Sequence, residues 1–229
     1  MTSRVHRNAA IAIGAAFMTA LTLGGCADGQ IKQDATFTGS SPASLLMFGV
    51  DLQSQYKAPD FIFRRYDERT GRVDSETYRA TPRLHQITGG QTLAQYLSGR
   101  DPPLIGHLYF TITLPPGDWF LWRVRGIHGE GGGWMQSAAT TLSDGTILIR
   151  STPGAALYLG EFVLKGKYGE NITLTPAPAN LAAAQAELDT FSGVKVKLGE
   201  EEERRVGTFN CLQSRLGRRE CEPTKIVVP

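Results

Sequence analysis

The side chains able to do acid–base, nucleophilic or metal chemistry are scattered along this sequence. His85, His107 and His128 have no second His or Cys at metal-ligand spacing, so they predict no metal site. Ser137, Asp144 and His107 have the residue types of a nucleophilic triad. No Gly-x-Ser-x-Gly elbow presents a serine, however, and they read as surface residues. Gly129-Glu130-Gly131-Gly132-Gly133 lacks the Lys-Ser/Thr of a phosphate loop and the helix that must follow one, so it reads as a turn. Glu130 and Glu161 are lone carboxylates and read as structural or solvated. Trp119, Trp122 and Trp134 offer faces that stack on sugar rings, but packing alone accounts for a sandwich tryptophan, and Trp122 is assigned to the core. These residues predict no catalytic group, no metal and no cofactor.

The elements available to position them are strands. Apolar runs at 45–52, 60–66, 106–114, 119–127, 133–141, 146–150, 156–165 and 171–175 are separated by turn signals at roughly ten-residue spacing, the pattern of a β-sandwich or barrel. The stretch 79–103, with Pro82, Gly89, Gly90, Gly99, Pro102 and Pro103, breaks this rhythm and reads as a long loop. One helix is predicted at 178–191, Ala-rich, with Leu181, Leu188 and Phe191 on one face and Ser192-Gly193 at its end. The clearest hairpin is 106–127. A three-residue loop, Pro116-Gly117-Asp118, sets Leu114 against Phe120, Ile112 against Trp122 and Phe110 against Val124, giving one apolar face. The opposite face then carries Tyr109, Thr111, Arg123 and Arg125 and is the candidate interaction surface.

Composition narrows the classes. Hydrophobic residues are 41% and charged residues 20% of 229, and 26 glycines favour turns and short strands over long helices. The formal charge of +2 supplies no broad positive field, which argues against nucleic acid as a partner.

The N-terminus reads as an address. Arg4, His6 and Arg7 precede an uncharged apolar stretch, 9–24, of signal-peptide length. Leu23-Gly24-Gly25-Cys26 closes it and resembles the lipobox of bacterial lipoproteins. That resemblance implies lipid on Cys26 (palmitate among its acyl chains), cleavage after Gly25, and, with Ala27 rather than Asp next, an outer-membrane destination facing the periplasm. Loss of residues 1–25 removes Arg4 and Arg7 and leaves 22 Lys+Arg against 22 Asp+Glu. The expected organisation is a signal peptide over 1–25, a polar tether over 26–43, a β-sandwich domain over 44–198 including the helix, and a charged extension over 199–229.

The lipobox, the hairpin around Leu114-Pro115-Pro116-Gly117-Asp118, the strand Leu157-Tyr158-Leu159-Gly160-Glu161-Phe162 and the Ala-rich helix together resemble a broad group of bacterial lipoproteins. Their soluble part is an immunoglobulin- or transthyretin-like antiparallel β-sandwich. The resemblance implies a membrane-tethered, non-enzymatic protein that displays a surface to an envelope protein or to wall material. A carbohydrate-binding module and a wall-polymer hydrolase are the alternatives.

Cys211 and Cys221 remain as an even pair in an oxidising compartment, and Leu216-Gly217 between them can turn the chain back. A disulfide is expected there, closing an ~11-residue loop worth about 2.7 kcal/mol in the chain-entropy model. It would present Arg215, Arg218 and Arg219 at a small basic tip.

Overall fold

A computed structural model of the chain describes residues 27–28, 31, 34–54, 57–81, 106–128, 135–140, 145–166, 173–200, 206–212 and 222–228. Among these residues the chain is mainly β, with one short helix. In chain order the elements are β1 (Ala27–Asp28), β2 (Ser44–Ser54), β3 (Lys57–Tyr66), β4 (Val73–Ala80), β5 (Gly106–Leu114), β6 (Gly117–His128), β7 (Met135–Thr140), β8 (Thr146–Ser151), β9 (Ala156–Gly166), β10 (Thr173–Ala177), α1 (Leu181–Leu188), β11 (Gly199–Glu200), β12 (Val206–Leu212) and β13 (Glu222–Val227). All eight expected strands are present, within a few residues of their expected ends. The unexpected strands are β1, β4, β11, β12 and β13.

The strands form two sheets. One runs β1-β4-β3-β6-β8-β12-β13, with β7 also paired to β6; the other runs β10-β9-β2-β5, with β11 also on β9. Alternation puts Leu46, Phe48, Val50 and Leu52 of β2 on the same side as Phe110, Ile112 and Leu114 of β5. These meet Phe61, Phe63, Trp119, Leu121, Val124 and Ile149 of the other sheet. Phe48 is the hub, with ring centres 4.9 Å from Phe61, 5.3 Å from Phe110 and 6.3 Å from Phe162. Each such buried side chain contributes about 1.5–3 kcal/mol.

The expected hairpin at 106–127 does not form. β5 pairs with β2, and β6 pairs with β3, in different sheets. Pro115 and Pro116 cannot donate to a ladder, so the turn carries the chain across the core instead. Two strands that each have one apolar face bury more surface facing each other than lying side by side. The phase of β6 differs as well: Trp119 and Leu121 point into the core, while Phe120 and Trp122 point out of it. A register shift between Leu121 and Arg123 then returns Val124 to the core.

The wholly antiparallel expectation also needs correction. β2 runs parallel to β9, and β1 runs parallel to β4. The larger sheet curls until β13 reaches the β3–β4 turn, where Ile226 N–H donates to Gly71 O at 2.8 Å. Tyr66, Phe120, Leu148 and Ile226 are buried inside the curl. Residues 199–229, expected as a charged extension, therefore supply β12 and β13 to a sheet.

The expected tether, 26–43, is likewise partly built into the fold. Ile31 and Phe37 are buried beside the helix, and Phe37 exchanges backbone hydrogen bonds with Gly193 O (3.1 Å) and Lys195 N (2.9 Å). The helix is shorter than the expected 178–191, because Asn180 caps it: its side chain accepts from Ala183 N–H at 3.1 Å. Ala184 and Leu188 pack onto the outer face of the smaller sheet.

Candidate functional site

Beneath α1, on the outer face of the smaller sheet, a carboxylate is buried between two tyrosines and a histidine. Strict alternation along β9 would send Leu159 and Glu161 to the same side. Gly160 breaks it, with φ +93°, and the pairing skips a residue between Met47–Tyr158 and Gly49–Glu161. Leu159 and Phe162 thus stay in the core, while Tyr158 and Glu161 share the outer face.

Glu161 is only 4% exposed. Its position depends on Gly49, which stands between Tyr109 on β5 and Glu161 on β9. A Cβ at Gly49 would overlap the Glu161 carboxyl group. With no side chain there, the carboxylate lies across the central strand. Tyr158 OH donates to Oε1, and His107 Nε2 lies 3.1 Å from Oε2, close but poorly aligned for a hydrogen bond. The His107 ring packs edge-on against Tyr109, with centroids 4.7 Å apart. Burial, reinforced by the neighbouring Glu161 charge, pushes the Tyr109 hydroxyl up to about 12. Burial, with the Glu161 hydrogen bond, also moves Tyr158 well above the usual tyrosine range.

The network ends on the helix. Tyr158 OH accepts from Asn180 N–H at 3.0 Å, and Asn180 is the cap of α1. Glu161 thereby fixes Tyr158, Tyr158 fixes the cap, and the cap fixes the helix on the sheet. His107, with its side chain 41% exposed, connects this network to the surface. Such an arrangement holds a proton and an orientation; no serine or cysteine nucleophile is seen beside it among the described residues.

A second feature is an open, charged cleft of about 550 Å³ at the rim of the larger sheet. Arg65, Asp67, Arg72, Asp74 and Asp118 line it. Arg65 lies over Gly117, where a Cβ would approach its Nε to 2.8 Å, and donates to Pro116 O at 3.1 Å. Arg150 bridges Asp118 and Glu68. The Thr70 hydroxyl holds the Asp67 carboxyl below its ordinary range.

The four residues of the candidate interaction surface do not share a face. Tyr109 (9% exposed) and Thr111 (1%) lie on the outer side of the smaller sheet, with Tyr109 in the apolar cluster that α1 joins. Arg123 and Arg125 are on the outer side of the other sheet. Arg125 pairs with Asp60 at 3.0 Å, and Arg123 stacks 4.4 Å from the centre of the Trp122 ring. The surface failed with the hairpin that defined it. Trp122 therefore lies outside the central core, and Trp119 fills the core instead, its Nε1 donating to Pro115 O at 2.9 Å.

Cys26, Cys221, His85, Glu130, Trp134, Asp144, Arg215, Arg218 and Arg219 lie outside the described residues, and so do the side chains of His128, Ser137 and Cys211. The backbone of Cys211 stands opposite Pro223 in the β12–β13 pair. Among the described residues, no group of three or more His, Cys, Asp or Glu side chains is placed to hold a metal ion, and no helix is long and apolar enough to cross a membrane.

Sequence reasoning passed over the Glu161 network as a lone carboxylate. The signal lay in two glycines, Gly49 and Gly160, each inside an otherwise apolar strand, the pattern of a bulge or a close approach. In comparison with known proteins, no family model matches the chain, and neither a curated protein nor a solved structure matches it.

Proposed function

We propose that this chain is a lipid-anchored protein of the bacterial cell envelope, acylated on Cys26 and held at the outer membrane facing the periplasm. Its immunoglobulin- or transthyretin-like β-sandwich displays a surface to another envelope protein or to wall material and performs no reaction of its own. One observation carries the reading. The apolar segment 9–24 closes on Leu23-Gly24-Gly25-Cys26, and the first strand among the described residues, β1, begins at the next residue. Cleavage before Cys26 would thus remove the apolar stretch and spare every described strand.

The Glu161 network supports a structural rather than a chemical role for the buried polar groups. Tyr158 links Glu161 Oε1 to the cap of α1, so these two hydrogen bonds serve the fold. Trp119 is wholly buried, which removes one of the three tryptophans from any sugar-stacking platform.

Metabolic labelling with palmitate tests the anchor. The expected result is a labelled chain whose mass shows loss of residues 1–25, and an unlabelled, uncleaved product from Cys26→Ser. Labelling that persists in that variant sinks the proposal. Capture from solubilised envelopes, with the acylated chain as bait, then identifies the partner.

A further inference from the structure

The charged cleft at the rim of the larger sheet lies where the core-facing side of that sheet runs out. Arg65 stands opposite Trp119, and alternation puts Asp74 and Glu76 on the same side of β4 as Tyr78. The Trp119 and Tyr78 rings, with centroids 5.0 Å apart, belong to the apolar core. Beyond them the same side carries charge, around a volume of about 550 Å³. Ligand sites commonly enclose roughly 300–1,000 Å³.

The two arginines of the cleft are held differently. Arg65 is fixed through its side chain. Its Nη2 donates to Pro116 O at 3.1 Å, and its Nη1 lies 4.0 Å from Glu76 Oε2. It crosses Gly117, where φ is +141° and no Cβ stands in the way. A guanidinium has five N–H donors, so these contacts leave others for a ligand. Arg72 is fixed only through its backbone: its N–H donates to Thr70 Oγ1 at 3.3 Å, and its carbonyl accepts from Asp67 N–H at 2.9 Å. Its side chain is exposed, and no hydrogen bond from its guanidinium is seen among the described residues.

The carboxylates divide in the same way. Asp67 accepts from Arg69 and Thr70 N–H on Oδ1 and from the Thr70 hydroxyl on Oδ2. Asp118 Oδ1 meets Arg150 Nε at 3.3 Å. Asp74 accepts from Ser75 N–H at 2.6 Å and Glu76 N–H at 3.4 Å, both on Oδ1, which leaves Oδ2 for another donor. Arg72 and Asp74 flank Val73, which packs toward the interior of the curl, and both line the cleft. An unused guanidinium and an unused carboxylate oxygen thus stand two residues apart.

This balance selects a ligand. A phosphate ion would meet three carboxylates, and a polyamine would meet two guanidinium groups. A molecule with one carboxylate and one ammonium group satisfies both sets. We propose that the cleft binds a small zwitterion, an amino acid or short peptide with a free ammonium group and a free carboxylate. Arg65 and Arg72 hold the carboxylate, Arg65 as the fixed wall and Arg72 as the arm that closes on it. Planar guanidinium groups suit a carboxylate because they donate two parallel hydrogen bonds. Asp74 Oδ2 takes the ammonium. The site goes beyond the display surface proposed above and stands without the lipid anchor.

The test follows backbone amide shifts of the full chain, as its host processes it, while alanylalanine is added to about 10 mM. Acetyl-alanylalanine and alanylalanine amide, each lacking one charge, are the comparison ligands. The expected result is saturable shifts at 65–74 and 117–118 with the free dipeptide, and an affinity lower by at least about fivefold for each capped form. Arg72→Gln and Asp74→Asn should each weaken the free dipeptide by a similar factor. Both positions are exposed, and Asp74→Asn keeps the Oδ1 acceptor of its turn, so the thermal midpoint should hold. Lys195→Gln, beside Phe37 on the helix side, should change nothing. If Arg72→Gln disturbs the rim, the capped dipeptides decide alone, because they leave the protein unaltered. Equal affinity for free and capped forms overturns the zwitterion, as does tighter binding of inorganic phosphate or spermidine. No saturable shift at these residues with any of these ligands overturns the site.

Discussion

Glu161 shows how much of this fold depends on single atoms. Its carboxyl group occupies the space that a Cβ at Gly49 would take. Gly49→Ala should therefore cost about 2–3 kcal/mol, since the central strand cannot yield and the carboxylate must leave its donors. Glu161→Ala should cost about 2–4 kcal/mol by stranding buried hydroxyl groups. The decisive measurement is the double variant: in denaturant titrations, the two effects should couple by at least about 1 kcal/mol, with Gly49→Ala nearly silent once the carboxylate is gone. Strict additivity would mean that the strand, not the carboxylate, resists the methyl group.

The tyrosines add a pH signature. Tyr109 and Tyr158 both ionise at higher pH in the folded chain than in the unfolded chain, Tyr109 at about 12. Raised folded values mean that the folded state holds these protons more tightly. The stabilisation is complete below the unfolded value of about 10 and is lost as pH rises through the folded values. Ultraviolet titration of the seven tyrosines should leave at least two, Tyr109 and Tyr158, unionised at pH 11, and they should ionise together with unfolding. Normal titration of all seven would refute the burial of this pair.

At the scale of elements, α1 depends on its cap. Asn180 both accepts from Ala183 N–H and donates its backbone N–H to Tyr158. Asn180→Ala should cost about 1 kcal/mol, and the loss should appear as faster hydrogen exchange in the helix before the sheets respond. The helix was legible in the sequence because Leu188 and Phe191 fall on its buried side; its start was misplaced because Pro178 signals a first turn less decisively than Asn180 signals a cap. Strand existence was legible from apolar runs with turns between them. Strand partners were not. An alternating strand such as β5 reports that one face is buried, but not whether its neighbour lies beside it or across the core. β4 escaped notice because Asp74, Glu76 and Arg79 blur its alternation. β12 and β13 escaped because charged flanks surround their few apolar residues, Phe209 and Ile226 among them. The proposed disulfide belongs to this scale. No titratable thiol beyond Cys26 chemistry should appear in the denatured, unreduced processed chain, whereas two free thiols would exclude a bond between Cys211 and Cys221.

The described residues form three layers: α1 with the segment around Phe37, the smaller sheet, and the curled larger sheet. Phe37 holds the leading segment against the residues that follow the helix. Phe37→Ala should cost about 3 kcal/mol and expose residues 34–43 to proteolysis at temperatures where the sheets remain folded. Cleavage that begins elsewhere would show that this segment unfolds only with the rest. Read from composition, the segment was a polar spacer. Its two apolar side chains, Ile31 and Phe37, are too few to mark an element, but both find partners in the packed fold.

The parallel pairing of β2 with β9 sets an order on the birth of this molecule. Leu45 finds its partner at Ala156, more than a hundred residues later in the chain. The apolar strand from Ser44 to Ser54 therefore leaves any secretion channel long before the strand that completes its sheet. Pairings this distant make folding slow, and an unpaired apolar edge in the interval invites wrong partners. A chain carrying this topology across a membrane depends on something to shelter β2 during the wait. For the exported chain proposed above, yield should fall sharply when periplasmic holding chaperones are depleted, while protein already folded persists unchanged.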